Sequence, residues 1–134
     1  MAEAAGFTFW KPLVWDKKTI GMGYHYRARY EFILFFEKGK RKLNHLGISD
    51  VIECPRIVRG YPTEKPVMVS RTLIEQSSDI GETVIDPFAG SGSVGVAAIE
   101  SGRYFLGNDI AEEAVQCAQK RLAEVMQTRA NSVG

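Results

Sequence analysis

The segment TVIDPFAGSGSVG, residues 83–95, constrains the fold of this chain more than any other part of its sequence. Residues 83–86 have the composition of a short strand, and an apolar run that reads as a helix begins at the end of the segment. Between them lie Gly90, Gly92 and Gly95, which let the backbone turn tightly and approach a ligand closely. A strand, a glycine loop and a helix in this order are typical of nucleotide-cofactor sites in α/β proteins.

The residues around this loop narrow the class of cofactor. Asp86 and Pro87 separate the strand from the first glycine, and no Lys-Ser/Thr pair follows the glycines, which excludes a P-loop. A fixed carboxylate at the loop mouth disfavours the pyrophosphate of a dinucleotide. It suits a ligand that carries an ammonium group and a sulfonium and no phosphate, which is the chemistry of S-adenosylmethionine. A second predicted strand, residues 104–109, ends at Asp109, whose carboxylate we expect to bind ribose hydroxyls.

The second half of the chain alternates helical and strand patterns, which predicts an α/β fold with parallel strands. Helices are predicted at residues 67–76, 93–101 and 112–126, with strands at 83–86 and 104–109. Pro66 suits the first turn of the first helix, because its missing N–H would have no partner there. The tail after Thr128 is expected to fray.

The first half is richer in aromatic residues and reads as strands. We predict a strand at 13–15, a hairpin within 24–36, a basic loop at 39–47 and a weak strand within 51–58. Arg27 and Arg29 alternate with less polar residues, which indicates a strand with one solvent-exposed face. With 134 residues the chain fits a single domain, in which residues 1–60 form the hairpin and basic loop and residues 61–134 the cofactor-binding half.

Charge is distributed unevenly between the two halves. Residues 1–60 carry eleven Lys/Arg and six Asp/Glu, whereas residues 61–134 carry six and ten. A basic stripe of this kind can follow a phosphate backbone, although a solvated strand face and loop would look the same. The candidate DNA contacts are Arg27, Arg29, Lys40, Arg41 and Lys42.

Composition excludes several other classes of protein. No apolar run reaches the roughly 20 residues that cross a bilayer, and no secretory signal is visible, so we expect a cytoplasmic protein. Cys54 and Cys117 form no CxxC pair and are interpreted as free thiols, with no disulfide and no metal site. His25 and His45 have no nucleophile or ligand partner in the sequence.

Four motifs in order resemble one enzyme family. DPFAGSG resembles the cofactor motif of the DNA amino-methyltransferases, which methylate the exocyclic amine of adenine or cytosine. WDK with GYHYRARYEFILFFEKG, then YPTEKP, and finally GRYFLGNDI are similar to other motifs of that family. The similarity is nearly collinear over residues 10–122. The order resembles the beta arrangement, in which the catalytic half precedes the cofactor half, on a Rossmann-like sheet.

The resemblance implies a role for particular residues. The methionine end of S-adenosylmethionine would be lined by Asp86, Phe88, Ala89, Gly90, Ser91 and Gly92. Asp109 would bind the ribose hydroxyls, and Ile110 would flank the adenine. Thr63 and Lys65, together with Glu64, would approach the cofactor carboxylate, where a lysine ammonium is favourable.

The chain departs from the family in one respect. Members carry a (D/N/S)-P-P-(Y/F/W) tetrapeptide that holds the target amine and stacks on the flipped base, and this chain contains no Pro-Pro. In the beta arrangement we expect that tetrapeptide, and the strand that bears it, before residue 1, so no catalytic residue is assigned. The missing strand belongs between the 83–86 and 13–15 strands, and an open strand edge is a template for pairing. We therefore expect a homodimer or a complementing chain.

Two other interpretations stay open. One is a small NAD(P)-dependent Rossmann protein. Only 25 residues follow Asp109, which are too few for the remaining strand–helix units of a dinucleotide fold. The other is an inactive truncated fragment that folds and binds nucleic acid.

Overall fold

A computed structural model describes residues 1–58 and 64–133 of the chain. Two compact units make it up, Met1–Arg56 and Ile57–Gly134. Strands β1 (Thr8–Asp16), β2 (Tyr30–Glu37) and β3 (Val51–Glu53) belong to the first unit. The second contains, in order, α1 (Val67–Ser77), β4 (Thr83–Asp86), α2 (Ser93–Glu100), β5 (Tyr104–Gly107) and α3 (Glu112–Val133). The predicted α/β class, with an antiparallel strand pair before a parallel one, is confirmed.

The first unit is a three-stranded sheet with β1 in its centre. β2 pairs with β1 antiparallel, and β3 pairs with it parallel. Trp15 is buried on β1, and its indole N–H donates to the Cys54 carbonyl at 2.7 Å. This bond satisfies the polar atom of a large apolar side chain and fixes the chain just after β3.

The hairpin differs from the sequence prediction. Its strands are β1 and β2, and residues 24–29, which were predicted to be strand, lie in the connection between them. Two bonds keep this segment folded as a loop: Gly21 N–H donates to the Ala28 carbonyl at 2.8 Å, and the Arg27 Nε–H donates to the Gly21 carbonyl at 2.6 Å. The alternating Tyr and Arg residues therefore reflect a solvated turn. β1 also begins at Thr8, five residues earlier than predicted.

The second unit places two helices against one face of a parallel strand pair. β4 and β5 pair from Thr83↔Tyr104 to Asp86↔Gly107. Ile74 of α1 and Ala97 and Ala98 of α2 are buried together, and the partly buried Val84 and Phe105 pack on this cluster. Small residues in α2 let the helices approach closely. This core fixes the carboxyl ends of both strands beside the start of α2.

The helices match the predictions at their starts and differ at one end. α1, α2 and α3 begin where the sequence pattern predicts, and Pro66 occupies the residue before α1 rather than its first turn. The expected fraying after Thr128 is wrong, because α3 continues to Val133. The Arg129 guanidinium donates to the Ile99 carbonyl and anchors these last turns on α2. β5 ends at Gly107, so Asp109 lies in a loop.

Candidate functional site

The glycine loop begins with a side-chain turn at the end of β4. The Phe88 N–H donates to Asp86 Oδ1 at 3.0 Å, and the Asn108 N–H donates to the Asp86 carbonyl at 3.0 Å. The Asp86 carboxylate therefore closes the turn over Pro87, as short acidic side chains commonly do. Its half-buried position at the carboxyl end of the strand agrees with the predicted loop mouth.

Two glycines of the loop have left-handed backbones with different surroundings. Gly90 has φ +52°, and a Cβ built on it would meet open space. Gly92 has φ +85°, and its Cβ would lie 3.0 Å from Ala118 Cβ and 3.2 Å from Ala118 Cα. Gly90 thus faces the open side of the loop. The absence of a side chain at Gly92 allows α3 to pack closely against the opposite side.

The Asp109 carboxylate, in the loop that follows β5, binds the backbone of the glycine loop. Its Oδ2 accepts a hydrogen bond from the Gly90 N–H at 2.9 Å, and its Oδ1 accepts one from the Ala111 N–H at 2.9 Å. Bonds from Ala111, and then from Gly90, lower the pKa of this carboxyl below its ordinary value. The group is therefore an anion at neutral pH. Because a carboxylate has about four acceptor positions, it can also accept hydrogen bonds from hydroxyl groups of a ligand.

Exposure separates the predicted cofactor residues into two groups. Phe88 in the glycine loop and Ile110 after β5 are exposed. Ser91 and Gly92 are buried, and Ala89 is half-buried with its N–H donating to the Asn108 carbonyl at 2.8 Å. The exposed apolar side chains can therefore contact a ligand, while hydrogen bonds fix the backbone of the loop.

The YPTEKP segment is only partly described. Thr63, a predicted cofactor residue, lies outside the described residues. Lys65 is exposed just before α1. Glu64 is half-buried, and its carboxylate receives the guanidinium of Arg121 from α3. Arg121 could not be predicted from the sequence as a partner of Glu64, because 57 residues separate the two and nothing local marks the contact.

The predicted DNA contacts lie in two loops of the first unit. Arg29 donates from Nε to Asp16 Oδ1 at 2.8 Å and from Nη2 to Oδ2 at 3.0 Å. This bond to Arg29, followed by the Lys18 N–H, lowers the pKa of Asp16 to about 2. A phosphate contact by Arg29 would have to share its guanidinium with this carboxylate. Arg27 donates from Nε to the Gly21 carbonyl at 2.6 Å, and the other three candidates, Lys40, Arg41 and Lys42, are exposed between β2 and β3.

A separate cavity lies away from the glycine loop. This apolar groove, of about 800 Å³, runs along β5 and the last turns of α3. It is lined by side chains such as Tyr104, Leu122 and Met126, and it contains no residue of the predicted cofactor set. We place the candidate site at the glycine loop, because the loop combines the Asp109 anion, a hydrogen-bonded backbone and exposed apolar side chains. In residues 1–58 and 64–133, no group of three His, Cys, Asp or Glu could hold a metal ion. The same residues contain no helix long and apolar enough to cross a membrane.

Comparison with known proteins decides the family. A family model described as DNA methylase, of the N6/N4 methyltransferase type, matches residues 47–120, which is more than half of the chain. The chain belongs to this DNA methylase family. The matched range includes the glycine loop, β5 and the Asp109 carboxylate, so the site described above lies within the family's own region.

Individual members of the methylase family extend well beyond this chain. YubD of Escherichia coli K12, named as a methylase, is 37% identical over 122 residues, which cover 90% of this chain and 54% of YubD. The chain thus spans about half the length of that relative. The solved M1.HpyAVI–SAM complex has a TM-score of 0.74 and 29% identity, over 90% of this chain and 65% of that one. Thermus thermophilus TTHA0409 complexed with S-adenosylmethionine has a TM-score of 0.72 and 26% identity, over 92% and 56%.

Proposed function

We propose that this chain is the S-adenosylmethionine-binding part of a DNA methyltransferase that acts on the exocyclic amine of adenine or cytosine. The cofactor lies over the glycine loop, and DNA is the methyl acceptor. Alone, the chain binds the cofactor and does not complete methyl transfer. The observation that carries the proposal is the Asp109 carboxylate, bonded at 2.9 Å to the Gly90 N–H inside a loop that leaves Gly90 open to a ligand.

The chemistry of the loop suits each part of the cofactor. The Asp109 anion accepts hydrogen bonds from the two ribose hydroxyls, and the exposed Ile110 packs beside the adenine. The first N–H groups of an α-helix have no partner within the helix, so the start of α2 favours the methionine carboxylate. Lys65 and Thr63 approach the same carboxylate. Two similar chains, M1.HpyAVI and TTHA0409, have been solved with this cofactor, which supports the assignment.

The proposed incompleteness rests on the missing tetrapeptide and on the strands. No Pro-Pro occurs in the sequence, and among the described residues the strands fall into two separate sheets. Ile85 of β4 and Leu106 of β5 are exposed on the face opposite the core. A second polypeptide that carries the tetrapeptide strand, or a second copy of this chain, would cover apolar surface of this kind.

Calorimetric titration with S-adenosylmethionine tests the cofactor role. We expect saturable binding at one site, abolished in Asp109→Ala, because that variant loses both the ribose acceptor and the bond to Gly90. Asp50→Ala is the matched control, since it removes a surface carboxylate whose partner is Lys11 at 2.6 Å in the first unit. Binding of NADH with equal or greater affinity would instead favour a dinucleotide protein.

Transfer of a labelled methyl group to DNA tests the incompleteness. The chain alone should transfer none, and addition of a family fragment that carries the tetrapeptide should restore transfer. Transfer by the purified chain alone would refute this part of the proposal.

Salt-dependent DNA binding tests the basic loop. Replacement of Lys40, Arg41 and Lys42 by Gln should lower the salt dependence of DNA affinity by about three charges if each contacts a phosphate. Arg71→Gln serves as a control for a lost surface cation in the second unit. An unchanged salt slope in the triple variant would exclude this loop as the DNA contact.

A further inference from the structure

Three side chains from separate segments meet beside the glycine loop. Glu64 lies two residues before Pro66, the residue that caps α1, Ser93 begins α2, and Arg121 lies on α3. Arg121 Nη1 donates to Glu64 Oε1 at 2.5 Å and to Ser93 Oγ at 3.3 Å, and Ser93 Oγ donates to the same Glu64 oxygen at 3.4 Å. The contact therefore connects the segment that contains Lys65, the start of α2 and α3.

This ion pair is more enclosed than an ordinary surface pair. The Glu64 side chain is 10% exposed and that of Arg121 29%, whereas the pair of Arg71 and Glu75 on α1 is exposed by 48% and 41%. Enclosed charges need their partner, because the loss of one leaves the other desolvated and uncompensated. The geometry of the segment that bears Glu64 therefore depends on Arg121.

The same contact changes the role expected for Glu64. A carboxylate beside the anionic end of the cofactor would repel it, and here the Glu64 carboxylate is directed to Arg121. Lys65 is the next residue and is exposed. A fixed Glu64 thus restricts where the Lys65 backbone, and with it the ammonium group, can lie relative to the start of α2.

We infer that Glu64, Arg121 and Ser93 form a positioning latch, which holds the Lys65 segment against the start of α2 and so sets affinity for the amino-acid end of the cofactor. The inference rests on the proposed function. Arg121 and Glu64 are positioning residues, because they act through Lys65 and the loop backbone. The adenosine end, which is held by Asp109 and Ile110, does not depend on the latch.

Two ligands separate positioning from a general loss of structure. S-adenosylmethionine carries the amino-acid end, and 5′-deoxy-5′-methylthioadenosine lacks it. In Arg121→Gln and in the conservative variant Glu64→Gln, affinity for S-adenosylmethionine should fall about 5- to 100-fold, the usual range of coupling between sites. Affinity for methylthioadenosine should stay within about twofold of the parent chain. Arg71→Gln, which breaks the exposed pair on α1, should leave both affinities unchanged.

The neutral double variant provides a rescue. Glu64→Gln with Arg121→Gln leaves no unpaired charge, and the two amides can bond, so S-adenosylmethionine affinity should recover relative to Arg121→Gln alone. Equal losses for both ligands would overturn the latch, because they would indicate a structural role only. Unchanged S-adenosylmethionine affinity in every variant would overturn it while the proposed function stands. If the parent chain binds methylthioadenosine and S-adenosylmethionine equally, the latch is also refuted. Failure of the folded parent chain to bind either ligand would refute the proposed function itself.

Discussion

Gly92→Ala, compared with Gly90→Ala, measures how tightly α3 packs behind the glycine loop. Both glycines have a left-handed backbone, which disfavours alanine by about 1–2 kcal/mol and is partly offset by about 0.4–1 kcal/mol of lost unfolded-state freedom. These two contributions are the same for both substitutions. Only at Gly92 would the new methyl group meet Ala118, with its Cβ at 3.0 Å and its Cα at 3.2 Å.

The contact at Ala118 sets the size of the difference. Its Cβ and Cα move only with the α3 backbone, so no rotamer change relieves the overlap, and overpacking of this kind costs about 1–3 kcal/mol. We therefore expect Gly90→Ala to lower the free energy of unfolding by at most about 1.5 kcal/mol. Gly92→Ala should lower it by about 1–3 kcal/mol more.

Two spectroscopic probes report separately on the two units during urea unfolding. Helices α1 to α3 all belong to the second unit, so helical circular dichroism follows that unit. Trp10 and Trp15 lie in the first unit, so tryptophan fluorescence serves as an internal control. Equal dichroism midpoints for Gly92→Ala and Gly90→Ala would refute the packing of α3 against the loop.

Three further changes test other contacts. Arg103→Met removes a buried guanidinium that donates to the Ser78 carbonyl at 2.6 Å, and it should lower the free energy of unfolding by about 2–3 kcal/mol in a urea titration. Trp15→Phe removes a buried indole N–H bond to a backbone carbonyl, and it should lower the denaturation midpoint of the first unit, with a loss of about 1 kcal/mol. The Asp16 carboxyl should titrate near pH 2 by NMR, and in Arg29→Gln its pKa should return towards its ordinary value of 3.8. Because the folded-state pKa is lowered, the stabilisation from this pair is fully present above pH 3.8 and is lost as the pH falls towards 2, so an unchanged pKa in Arg29→Gln would contradict the pairing.

The second unit could be predicted closely from its sequence, because local signals mark each of its elements. Three β-branched residues form most of the strand Thr83–Asp86, which ends before Pro87, and α2 begins directly after Gly92. Glycine spacing and the carboxylate at 109 placed the candidate site in the same way. The end of α3 was not predictable, since it depends on Arg129 reaching Ile99 across 30 residues.

The first unit was harder to predict, because its strand pattern and its loop pattern look alike. Tyr24 and Tyr26 alternate with polar residues as a strand does, yet both are fully exposed in the connection after Gly23. The partner of β2 is β1, and register over this distance is set by pairing rather than by local preference. Long-range ion pairs such as that of Arg121 escape sequence reasoning for the same reason.

The most direct test of the account maps cofactor binding on the amide resonances of the chain. On addition of S-adenosylmethionine, we predict that the largest shifts occur at Gly90, Gly92, Asp109 and Ile110, with smaller shifts at Lys65. Shifts confined to the groove beside Tyr104 and Met126, or none in a folded chain, would contradict a cofactor site at the glycine loop.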